Sequence, residues 1–199
     1  GALTSDGLPR SEKAASIAAG SHPGLIPVIG RISDHPEQTP GLVMSLIDPA
    51  FRNLAGPPSL ASCTRDIYAD DLRFTLPTAL NIACGIAAVA EHLHAQGILH
   101  GDLYAHNILW DDDGDCLLGD FGAASFLPQD RQQAEALQRI EVRAFACLME
   151  ELLDRCETSA DDARTIAALR ALQQRCDNAQ VRDRPLFADI HRELKQLMP

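Results

Sequence analysis

At 199 residues, with 46% apolar side chains, the chain is long enough to fill the core of one domain. A formal net charge of −11 speaks against nucleic acid or an anionic membrane as a partner, because both select a basic face. No apolar run approaches the length of a membrane span and no signal peptide opens the sequence, so a cytoplasmic location is expected.

The sequence predicts a short mixed beginning followed by a mainly helical body. Residues 1–10 read as a polar loop, and Ser11 to Ala19 as an alanine-rich helix stopped by Gly20. Leu25 to Arg31 and Leu42 to Ile47 read as strands joined by a proline-rich turn around His35-Pro36. Asp48 to Thr75 reads as a long polar connection. A helix is then predicted from Pro77 to Gln96, with Ile82, Ile86, Val89 and Leu93 on one face and Gly97 ending it. Ile108 to Trp110 and Cys116 to Leu118 are two short strands around the acidic turn Asp111 to Asp115. An EF-hand loop fails there: with Gly114 in sixth place, the first ligand position would be Leu109, which cannot hold a hard cation. Three helices complete the chain: Gln133 to Cys156, Asp161 to Cys176 and Leu186 to Leu197. The set Leu137, Ile140, Ala144, Leu148 and Leu152 marks the first of these as a core helix. The six cysteines form no CxxC pair and sit mostly in apolar helical patterns, as buried reduced thiols would.

Chemistry concentrates in His100-Gly101-Asp102-Leu103-Tyr104-Ala105-His106-Asn107 and in Gly119-Asp120-Phe121-Gly122. An Asp with an Asn five residues on, and a second Asp flanked by glycines eighteen residues after the first, is a layout suited to phosphoryl transfer. That reaction needs metal to neutralise charge on the γ-phosphate and an acceptor to orient the attacking hydroxyl. Asp102 is placed for the second task. Asn107 and Asp120 are placed for the first, as oxygen ligands for magnesium. The plain structural alternative is that Asp102 caps a turn and Asp120 ends a strand.

These motifs resemble the C-terminal lobe of a eukaryotic-type protein kinase together with the last part of its N-terminal lobe. The resemblance implies an α+β, protein-kinase-like fold, with residues 1–47 a remnant of the N-terminal lobe and residues 48–199 a helical C-terminal lobe. It implies ATP and Mg2+ as cofactors and a protein substrate. Ser21-His22-Pro23-Gly24-Leu25-Ile26 is similar to the turn and strand after the family's regulatory helix. Gly41 to Ile47 is similar to the strand and hinge that grip adenine, which would make Met44 the gatekeeper, Ser45 and Ile47 hinge contacts, and Leu109 the floor of the adenine site. Glu141-Val142-Arg143-Ala144-Phe145-Ala146 resembles the start of the central buried helix, with Glu141 where the family has an Asp that buttresses the catalytic loop. Cys176 and Arg184-Pro185-Leu186-Phe187 with Ile190 resemble the tail of tyrosine-kinase-like kinases. Leu99 to Tyr104 and Gly122-Ala123-Ala124-Ser125 also resemble bacterial kinases joined to leucine-rich repeats, which would place such a region upstream.

Departures from the pattern set further expectations. The sequence holds no glycine-rich loop and no Val-Ala-x-Lys strand, so it is expected to be a piece of a longer kinase with little turnover alone. Glu12 lies close to where the glutamate that pairs with that strand lysine belongs; a solvated helix glutamate is the other reading. Gly101 replaces the arginine that reads a phosphorylated activation loop, and no Ala-Pro-Glu motif separates Asp120 from Glu141, so control by loop phosphorylation is not expected. His106 stands where many tyrosine kinases carry an arginine, either as a partial cation near the γ-phosphate or as a hydrogen-bonding support. His100 is expected to pack beside Asp120. Two other functions stay open: an aminoglycoside- or choline-type phosphotransferase, whose usual His is Tyr104 here, and a non-catalytic kinase-like binding module.

Overall fold

The computed structural model describes residues 9–33, 41–60 and 66–198. Helix α1 (Pro9–Ala18) precedes an antiparallel pair, β1 (Val28–Ile32) and β2 (Gly41–Met44), with Val28 opposite Met44 and Ile32 opposite Gly41. Both strands are shorter than the sequence predicts. Leu25 instead makes a single parallel bridge to Leu118 and fastens this part to the rest. The turn expected around His35-Pro36 lies outside the described residues, as does Cys63.

The predicted loop from Asp48 to Thr75 is part of the fold. Strand β3 (Arg52–Asn53) joins β6 (Ile108–Trp110) and β7 (Cys116–Leu118) in an antiparallel sheet ordered β3-β6-β7. Gly56 and Ile67 exchange two backbone hydrogen bonds, and Leu54, Ala55 and Tyr68 are buried. The Arg52 guanidinium lies 4.1 Å over the Trp110 ring. No hydrophobic period announces this packing, because its contacts come from isolated residues in a polar stretch.

Helix α2 (Leu76–Ala95) follows β4 (Phe74–Thr75) directly. Thr75 caps it by accepting from the Thr78 N–H at 3.2 Å, and Gly97 ends it at φ +73°. Ile82, Ile86, Val89 and Leu93 are fully buried, as the predicted stripe requires. Contrary to the sequence expectation, this 20-residue helix is long and apolar enough to cross a membrane; 61% of its apolar window is buried inside the protein, which makes it a core helix here. Gly24 packs so tightly on it that a Cβ would fall 2.3 Å from Val89 Cγ2.

Beyond α2, β5 (Ile98–Leu99) pairs antiparallel with β8 (Ser125–Phe126). The chain then enters α3 (Arg131–Asp154), which Asp130 caps through the Gln133 N–H at 2.8 Å. The core stripe of α3 differs from the predicted one. Val142, Phe145, Ala146, Leu148, Met149 and Leu152 are buried, whereas Leu137 and Ile140 are 37% and 56% exposed. A 24-residue helix is about 36 Å long, and only its second half crosses the core. Strand β9 (Cys156–Glu157) pairs parallel with β4, and α4 (Ala163–Cys176) and α5 (Phe187–Leu197) close the molecule. Phe187 packs edge-on against both Phe145 and His94. Burial pushes the Cys116 and Cys176 thiols up to about 12, which fits the expectation of unreactive core cysteines.

Candidate functional site

The β6–β7 hairpin builds the site. Its turn is made by the acidic segment: the Asp111 carboxylate accepts from the N–H groups of Asp113 and Asp115 at 3.1 and 2.9 Å, so it serves the turn rather than a metal. Ile108 pairs with Leu118, which sets the preceding Asn107 opposite Gly119, and the Gly119 N–H donates to the Asn107 carbonyl at 2.9 Å. The register therefore brings Asn107 and Asp120, thirteen positions apart in sequence, to one end of the hairpin.

Asp120 is exposed and holds φ at +52°, a left-handed conformation rare outside glycine. Its Oδ1 accepts from the Gly122 N–H at 2.9 Å, a local bond that offsets part of the strain. His100 is fully buried, with Nε2 2.8 Å from the Gly119 carbonyl and its ring packed edge-on against Phe121. It supports the Asp120 segment, as expected.

Asp102 is held from two sides. Asn107 Nδ2 donates to its carbonyl at 2.9 Å and to its Oδ2 at 2.8 Å, and His106 Nε2 lies 3.3 Å from the same Oδ2. Because the Asn107 amide nitrogen is spent on Asp102, its carbonyl oxygen is left as an acceptor. One amide oxygen and one carboxylate suit magnesium, which keeps several waters and takes its remaining ligands from phosphate oxygens. Among the described residues, no group of three or more His, Cys, Asp or Glu could hold a metal by itself.

Two hydrogen-bonding neighbours of these residues escape sequence reasoning. Asp66 accepts from the His106 backbone N–H at 3.0 Å and faces His106 Nδ1 at 2.7 Å, with its side chain only 2% exposed. His94 Nε2 lies 2.6 Å from Glu141 Oε2, while Glu141 Oε1 accepts from the Gly101 N–H at 2.6 Å. The buttress expected at Glu141 is therefore present, with a histidine behind it that no motif marks. Gly101 has φ +83°, and a Cβ there would fall 2.4 Å from the Ala123 carbonyl oxygen, so an arginine cannot occupy this backbone.

Burial alone would lower the His106 pKa. The hydrogen bond and charge of Asp66, with the charge of Asp102, overcome this and hold it above the ordinary 6.5. The contribution to stability is therefore fully present below the unfolded-state value and is lost as pH rises through the raised folded value. By NMR titration of the metal-free protein, the His106 ring should show a midpoint above 6.5 that falls in Asp66→Asn. A midpoint at or below 6.5 would contradict the arrangement.

A cleft of about 330 Å³ opens between α1, β2 and the end of β7. Glu12, Lys13, Leu42, Met44, Leu118, Asp120 and Phe121 are among its walls. Of the sequence candidates for nucleotide contact, Glu12 and Met44 line this cleft, whereas Ser45, Ile47 and Leu109 do not. The strand ends at Met44, and the Ser45 N–H turns to donate to the Pro27 carbonyl at 2.9 Å. Leu109 is half-buried in β6 opposite Leu117.

Residues 59–145, which contain Asp66, Asp102, His106, Asn107, Asp120 and Glu141, match the protein kinase domain family. This match makes the middle of the chain similar to a protein kinase domain. It is 37% identical over 68 residues to the human tyrosine-protein kinase Srms, covering 34% of this chain and 14% of that protein. It is 33% identical over 114 residues to a probable LRR receptor-like serine/threonine-protein kinase of Arabidopsis thaliana, covering 56% of this chain and 17% of the relative. A leucine-rich repeat receptor-like serine/threonine/tyrosine-protein kinase of the same plant, SOBIR1, is 38% identical over 73 residues, or 35% of this chain and 11% of that one. The chain thus spans only 11 to 17% of the length of these relatives.

Proposed function

We propose that this chain supplies the catalytic loop and metal-binding loop of an ATP-dependent protein kinase acting on Ser, Thr or Tyr hydroxyls. The observation that carries the reading is the hairpin register that sets Asn107 beside Asp120 while Asn107 and His106 hold Asp102 by one oxygen. In this reading Asp102 orients the acceptor hydroxyl, which a loose transition state needs more than strong proton abstraction. Magnesium, when bound by Asn107 and Asp120, would neutralise charge on the triphosphate. Glu12, on the wall of the cleft that Asp120 also lines, would in this reading pair with a phosphate-binding lysine. Met44 lines the same cleft and in this reading would border the nucleotide.

The sequence contains no glycine-rich loop and no Val-Ala-x-Lys strand. Charge-assisted hydrogen bonds contribute roughly 1.5–3 kcal/mol each, so their absence should weaken nucleotide binding by orders of magnitude. Calorimetric titration of the 199-residue chain with magnesium-ATP should therefore give an affinity far weaker than micromolar, abolished in Asp120→Asn. Micromolar affinity would contradict the account of the cleft, and no heat at millimolar nucleotide would favour a non-catalytic binding module.

A further inference from the structure

The Asp102 carboxylate presents two chemically distinct oxygens. Asn107 Nδ2 and His106 Nε2 both approach Oδ2, and among the described residues no hydrogen bond is made to Oδ1, the oxygen an incoming hydroxyl would meet. Asn107 is fixed by its own second bond, to the Asp102 carbonyl. The His106 ring stacks locally on Tyr104, with centroids 6.3 Å apart, a contact that gives neither ring nitrogen a directional hold. Its position comes from Asp66, which grips the residue twice, at the backbone N–H and at Nδ1, from 40 positions upstream. A side chain 2% exposed and bonded to both the main chain and the ring leaves that ring little freedom to rotate.

We propose that Asp66 is a positioning residue for phosphoryl transfer: by clamping His106 it fixes the carboxylate of Asp102 so that one chosen oxygen faces the acceptor hydroxyl. The inference rests on the kinase reading of Asp102 given above. Asp66 touches neither metal nor substrate and acts only through the histidine ring. Its link to the loop is tertiary, so the clamp forms only when Asp66 is packed against the catalytic loop. Misplacement of a reacting group by about 1 Å can cost roughly a hundredfold in rate, so the loss of this clamp belongs in kcat.

The test is a double-mutant cycle in the full-length protein, with kcat and KM for magnesium-ATP measured for wild type, Asp66→Ala, His106→Ala and the pair. Asp66→Ala should lower kcat about tenfold or more with KM nearly unchanged. In the His106→Ala background the same change should cost less than about twofold, because the ring it positions is already gone. Equal losses in both backgrounds would assign Asp66 a merely structural role and overturn the proposal, as would an unchanged kcat in Asp66→Ala. If Asp66→Ala fails to fold, the near-isosteric Asp66→Asn is read in its place, with thermal melting as control. It loses one of the two acceptors and should show the same background-dependent fall in kcat. Wild-type protein that transfers no phosphate would sink the kinase reading and the proposal with it; an active wild type with an indifferent Asp66 would sink the proposal alone.

Discussion

Glu141→Ala should unfold the catalytic loop's support and cost roughly 3–5 kcal/mol of stability. The carboxylate is buried at 5% side-chain exposure and accepts from the Gly101 N–H while facing His94, both at 2.6 Å. Truncation leaves the part-buried Gly101 N–H and the buried His94 imidazole without this partner; a fully buried orphan costs roughly 1–3 kcal/mol, and the part-buried N–H less. Gly101 sits at φ +83° against the Ala123 carbonyl, which limits how far its backbone can relax toward the gap. In a domain of this size the melting temperature should fall by about 10 °C or more. Glu141→Gln keeps the shape and one acceptor and should be clearly milder. Melting curves of the two variants check this, and a loss below about 1 kcal/mol for Glu141→Ala would show that water replaces the carboxylate.

The parts of the fold that the sequence made legible are those with a period or a local signature. The α2 stripe, the β6–β7 hairpin around Gly114 and the last three helices follow from spacing and caps. That Asn107 and Asp120 reach one end of the hairpin, with Asp102 held by Asn107, follows from separations legible in the sequence; the roles read from them belong to the kinase reading. What stayed hidden depends on long-range packing. Asp66 and His94 act across 40 and 47 positions, and nothing local in the polar connection or in α2 marks them. Leu137 and Ile140 share the helical period of the core, yet they lie where α3 has left it, and a period cannot say where a helix crosses a core. Ser45 read as a hinge contact from its place in the pattern, but its N–H is taken by Pro27.

Within the kinase reading, Asp102→Asn should lower phosphoryl transfer by roughly 10²–10⁴. The amide keeps the shape that Asn107 and His106 hold but loses the charge that orients the acceptor hydroxyl, so KM for magnesium-ATP should change little. Asp120→Asn acts differently. It removes the carboxylate proposed to share the metal with the Asn107 oxygen and should cripple metal-dependent turnover, with higher magnesium restoring part of it. Transfer of labelled γ-phosphate from ATP to a protein substrate, measured across magnesium concentrations for the full-length wild type and both variants, tests the site most directly. The account predicts an active wild type, a slow Asp102→Asn with nearly normal KM, and an Asp120→Asn whose deficit shrinks as magnesium rises. Undiminished transfer by Asp102→Asn, or no transfer by the full-length wild type, would contradict it.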